Sequence, residues 1–101
     1  MIARIWHGVT LAGRADEFFQ YMNETGVPGL QATAGNRGVY VMRRLEGTQA
    51  HFLLISLWES REAVAGFAGA DIEKARYYSR DREFLLELEP MVTHYEVLVQ
   101  P

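Results

Sequence analysis

One short run constrains this chain more than any other: AHFLLISLW, residues 50–58. Read as a strand, it turns Phe52, Leu54 and Trp58 to one side and Leu53, Ile55 and Leu57 to the other, so both faces are apolar. Such a strand belongs in the middle of a sheet. Helices cover only one face of a small sheet, and each large apolar side chain left on the other forfeits roughly 1.5–3 kcal/mol of burial. The simplest cover is the same face of a second copy, which predicts a homodimer joined through its sheets, with Trp6 near the interface.

The neighbouring segments supply the remaining elements. Residues 2–9 alternate as a strand, with Ala3, Ile5, His7 and Val9 on one face and Ile2, Arg4 and Trp6 on the other; the first set is expected to look toward the helices. Ala15, Phe18, Phe19 and Met22 fall at i, i+3, i+4 and i+7, the spacing of a helix face, and TGVPG (25–29) is expected to end that helix. After the loop QATAGNRG (31–38), residues 39–45 and 50–58 form a hairpin around EGTQ. Ser60 is placed to cap a second helix, with Glu62 in its first turn. Asp71 is placed to cap a further helical stretch, IEKARYYS (72–79), and DREFLLELE (81–89) adds a last turn or two before Pro90. Residues 92–99 alternate as a final strand. The order β-α-β-β-α-β predicts an α+β, ferredoxin-like fold with a four-stranded antiparallel sheet, its third strand central, as a single domain over residues 1–101.

Composition narrows the function classes. A formal charge of −3 offers no basic field for nucleic acid, and a chain without cysteine has no disulfides, thiolate metal sites or cysteine nucleophile. Arg4 interrupts the apolar start MIARIWHGVT, which therefore does not read as a signal peptide, and no stretch is long enough to span a membrane. A cytoplasmic location and no membrane partner are expected. No P-loop, dinucleotide fingerprint, Gly-x-Ser-x-Gly elbow or His-Glu-x-x-His motif occurs.

The segment LWESREAVAGFAGAD, residues 57–71, resembles the antibiotic biosynthesis monooxygenase family of dimeric α+β barrels, and the element order extends the resemblance over residues 2–98. The resemblance implies a homodimer with an apolar pocket between helices and sheet. In the family's cofactor-independent oxygenases of aromatic polyketides, an asparagine lies four residues before the tryptophan, and a tyrosine and an arginine follow from the helices. Trp58 matches here, but the other positions hold Leu54, Val64 and Tyr78. The haem-degrading branch uses an asparagine, a tryptophan and a histidine ligand where this chain has His7, Phe67 and Tyr77. The missing histidine counts against haem, although tyrosine ligates haem iron in other proteins. No resident cofactor is expected.

Within that implied pocket His7 is the candidate catalytic base, since an imidazole titrates near neutrality and can take a phenolic proton. The competing role is a core histidine satisfied by a carbonyl or by Tyr77. Trp58, Phe67, Tyr77 and Tyr78 are candidate walls for an aromatic ring. A tryptophan at a strand-to-helix junction such as Trp58 is more often a packing anchor, and two adjacent tyrosines on a helix face about 100° apart, so only one is expected to line a cavity. Asp81 either binds substrate, orients His7, caps the last helical segment or pairs with Arg82 or Arg43. His51 is expected near the hairpin turn and solvated. His94 and Glu96 share a strand face but lack a third metal ligand, so no metal is expected. These residues point to a monooxygenase-like enzyme acting on a small hydroxylated aromatic or quinol. The alternative is a non-catalytic small-molecule-binding or stress-related module.

Overall fold

The structure, a computed structural model, describes all residues 1–101. Its elements are β1 (Ile2–Leu11), a 3-10 turn (Ala12–Arg14), α1 (Ala15–Glu24), α2 (Gly26–Ala32), β2 (Asn36–Glu46), β3 (Gln49–Trp58), α3 (Arg61–Ala68), α4 (Asp81–Phe84) and β4 (Thr93–Glu96). The four strands form one antiparallel sheet in the order β2-β3-β1-β4, with helices on one face. This is the ferredoxin-like α+β arrangement, with β3 interior. No helix is long and apolar enough to cross a membrane.

The hairpin and α3 form where their local chemistry dictates. Gly47, at φ +59, makes the turn between β2 and β3. The Ser60 hydroxyl accepts from the Ala63 N–H at 3.2 Å, capping α3, and Gly69 ends it at φ +87 with its N–H on the Ala65 carbonyl.

Register settles which face each side chain takes. β1 pairs with β3 so that Trp6 lies opposite Leu54 and His7 opposite Leu53, and directly opposed residues share a face. Phe52, Ser56 and Trp58 are buried under the helices, and Arg4, Trp6, Gly8 and Thr10 are buried with them. Ile5, His7 and Val9 lie with Leu53, Ile55 and Leu57 on the uncovered face. The expected orientation of β1 is therefore inverted: Trp6 is a core residue and not an interface residue, while His7 looks away from the helices. Trp6 also folds back over Gly8, where an added Cβ would meet its Cη2 at 2.3 Å. Gly8→Ala is expected to cost about 1–3 kcal/mol of stability by forcing the indole out of place. Urea unfolding checks this; an unchanged midpoint would mean the indole relaxes freely.

Three segments depart from the sequence reading. TGVPG does not end the helical region: α1 stops at Glu24, and α2 starts at Gly26, with Pro28 in a first turn whose N–H groups lack intrahelical partners anyway. Residues 72–79 do not form a helix, because their backbone is engaged elsewhere. The Val92 N–H donates to Glu73 O at 2.8 Å, the Ala75 N–H to Pro90 O at 2.9 Å, and Arg4 Nη2 donates to Lys74 O. The last strand is short, pairing with β1 only from Ile2 to Ile5. Residues 85–86 occupy the edge beyond, where Leu86 N–H donates to Val9 O at 2.9 Å.

Candidate functional site

Between the helices and the sheet lies a half-open cavity of about 40 Å³. The sheet contributes Arg4, Trp6 and Leu54 as its floor, α1 contributes Phe18 and Met22, and α2 contributes Gly26 and Leu30. Phe67, Arg76, Tyr78 and Asp81 close the remaining side. Its volume suits a small group, well below the roughly 300–1,000 Å³ of typical ligand sites.

Tyr78 owes its seat to two glycines. Cβ atoms added at Gly29 and Gly26 would lie 2.8 Å from its hydroxyl and 3.7 Å from its ring, so the bare turn of α2 is what lets the phenol lie against the helix. The Tyr78 N–H donates to Asp81 Oδ2 at 2.6 Å, which ties wall and carboxylate together. Asp81 is only 7% exposed, and burial raises its carboxyl above the usual range, opposed by the Tyr78 bond. It pairs with neither Arg82 nor Arg43, the latter being bound to Asp16 at 2.7 Å, and it lies on the opposite side of the sheet from His7.

Two guanidinium groups stand near the Phe67 ring. Arg76 stands 4.8 Å and Arg4 5.6 Å from the ring centroid, and Arg76 Nη1 donates to the Phe67 carbonyl at 3.0 Å. Of the expected wall residues, Phe67, Tyr78 and Asp81 thus line the cavity. Trp58 lies behind, fully buried, with its indole N–H donating to Ser56 Oγ at 2.8 Å. Tyr77 packs edge-on against Trp6 and donates its hydroxyl to Glu89 O at 2.5 Å, its pKa raised by burial.

His7 is not the floor of this cavity. On the uncovered face Glu89 Oε2 accepts from its Nδ1 at 2.6 Å, and its Nε2 meets His51 Nδ1 at 3.1 Å. Neither the carbonyl nor the Tyr77 partner expected for His7 is used, and His51 is three-quarters buried, not solvated. The pair sits in a shallow basin of about 310 Å³ with Met42, Arg44 and Leu53.

The sequence reading missed Arg4, Trp6 and Arg76 as cavity residues. Two signals were available: a cation set inside an apolar strand, and glycines three apart in a segment otherwise fit for a helix.

No histidine lines the cavity, and Tyr77, at the expected ligand position, is protonated and committed to a carbonyl. The position at which the resemblance places the haem ligand therefore offers no free donor. No three His, Asp or Glu side chains converge to hold a metal ion.

No family model matches the sequence, and no curated protein matches it. Solved structures do match in fold. A putative antibiotic biosynthesis monooxygenase from Nitrosomonas europaea superposes with a TM-score of 0.67 at 16% identity, over 98% of this chain and 100% of that one. A protein of the same description from Bordetella bronchiseptica gives 0.65 at 21% identity, over 97% of each. The heme-degrader MhuD from Mycobacterium tuberculosis, with two hemes bound in its active site, gives 0.63 at 18%, over 100% of this chain and 99% of that one. The chain has the fold of these proteins from end to end.

Proposed function

We propose that this chain is an antibiotic biosynthesis monooxygenase family protein that binds a small hydroxylated aromatic at the helix–sheet cavity and oxidises it with molecular oxygen. The reading rests on Asp81, a buried carboxylate with a raised pKa, set in a cavity otherwise walled by aromatic and apolar groups. Asp81 takes the role of base expected of His7. Deprotonation of a phenol or an activated methylene gives an electron-rich anion, which Arg4 and Arg76 stabilise while Phe67 and Tyr78 hold the ring. Oxidation of a ring CH₂ to a carbonyl balances with oxygen alone: one oxygen atom enters the product, and the other leaves as water with the two methylene hydrogens. No external reductant is needed. The cavity is smaller than a ring, so admitting one requires its walls to open.

Oxygen uptake against anthrones, quinols and catechols, in the presence of a chelator, tests this. Uptake by the native protein is expected to fall by about 10²–10⁴ in Asp81→Asn. Uptake that survives the substitution would overturn the role of Asp81.

A second reading is favoured by Leu54, which lines the cavity where the polyketide oxygenases carry asparagine. It is a non-catalytic binding module, distinguished by ligand retention without uptake.

Asp81 also carries a pH signature. Its folded pKa lies above the unfolded value, so the native state binds more protons and stability falls as pH rises from about 4 through the folded pKa. Asp81→Asn keeps an acceptor for Tyr78 N–H and is expected to remove that fall, leaving the variant at least as stable at pH 7. Thermal melts between pH 3 and 7 check it; an unchanged profile would assign the fall to other groups.

The uncovered face supports a homodimer. It presents Tyr40, Met42 and Tyr95, each more than 40% exposed, around the half-buried Ile5, Leu53, Ile55 and Leu57. His7 and His51 belong to that face.

A further inference from the structure

Arg4 is the least compensated charge in the molecule. It is 3% exposed, yet no carboxylate lies within ion-pair distance. Its Nη2–H donates to Lys74 O at 3.0 Å, and its buried Nε–H has no acceptor. Glu73 is near enough to oppose the loss of its proton, but that carboxylate lies 3.5 Å from His94 Nδ1 and 3.8 Å from Arg61. His94, the cross-strand neighbour of Arg4, brings no negative charge. It is buried, with Nδ1 facing Glu73 and no partner at Nε2, and burial lowers its pKa toward the neutral form against the opposing pull of Glu73. Phe67 offers only a ring face at 5.6 Å. An unpaired buried cation is a heavy cost for a small fold, and the paired state it lacks is one that a bound anion would supply. The same guanidinium lines the cavity together with that of Arg76, which also stands over Phe67.

We infer that the ligand of this cavity carries a carboxylate, gripped from within by Arg4 and from the mouth by Arg76, so that the substrate class is a hydroxyaryl carboxylic acid and not a neutral phenol. This rests on the reading of the cavity as the binding site. The guanidinium fork matches the two oxygens of a planar carboxylate, and about 40 Å³ accommodates such a head group with the ring toward Tyr78.

Calorimetric titration of the full chain with salicylate and 1-hydroxy-2-naphthoate, each against its primary amide, tests the inference. The acids are expected to bind at least tenfold more tightly. Arg4→Met is expected to abolish that preference, and Arg76→Met to reduce it. Arg4→Met removes a buried charge for an apolar side chain of similar length, so the variant is expected to fold, as melting would verify. Equal binding of acids and amides would overturn the carboxylate and leave the cavity reading standing. A preference that survives both substitutions would overturn the assignment to these arginines. No binding of either class would overturn the inference and the cavity reading together.

Discussion

Trp58→Ala is expected to lower the unfolding free energy by about 3–5 kcal/mol. The indole is entirely buried and forms one small core with Leu30, Val64 and Phe67, flanked by Ile2 and Val39. Truncation removes its buried area, opens a cavity between β3 and α3, and strips the Ser56 hydroxyl, itself buried, of the indole N–H it accepts. Domains of this size hold about 5–15 kcal/mol in all, so the variant should lose roughly a fifth or more of its stability. Urea unfolding followed by circular dichroism reads the change. A loss below about 1 kcal/mol would mean that the tryptophan is free to stack on a ligand, the role its buried position denies it.

Ile55→Lys is expected to convert a dimer into a monomer. Ile55 lies at the centre of the uncovered face, opposite Ile5 on one side and Tyr40 on the other. Each chain of a symmetric pair would carry the substitution, so two charges would enter an apolar contact and two isoleucine contributions would be lost. A loss of roughly 3 kcal/mol or more weakens association over about a hundredfold. Sedimentation equilibrium should give twice the chain mass for the native protein and the single mass for the variant. A native monomer would refute pairing through the sheet, and a dimer untouched by the lysine would place the contact elsewhere.

The sequence made β3 legible because both of its faces are apolar and its length fits one strand. It made the cap of α3 legible because Ser60 stands directly before an apolar helix pattern. The phase of β1 was not legible. Ala3, Ile5 and Val9 look like a core face, and Arg4 looks like a solvent residue, so alternation alone points the wrong way. Only the pairing of Trp6 with Leu54 fixes it. The helix expected over 72–79 failed for a related reason: its periodicity is sound, but long-range partners at residues 90–92 and the Arg4 side chain hold its backbone. The candidate site inherits both errors. Phe67, Tyr78 and Asp81, which line the cavity, were named from the family resemblance and the aromatic cluster, whereas Arg4, Trp6 and the seat of Tyr78 on Gly26 and Gly29 depend on contacts between distant parts of the chain.

The short last strand has a mechanical corollary. Because β4 pairs only with the first half of β1, the chain ahead of it runs along the free half and wraps the sheet edge at Glu89. That residue is gripped from both sides: its carbonyl accepts from Tyr77, which leans on Trp6 in the cavity floor, and its carboxylate accepts from His7 on the opposite face. Glu89 is thus a rivet through the rim of the sheet, and any strain that a guest imposes on Trp6 has a direct route to the surface where a second chain would sit.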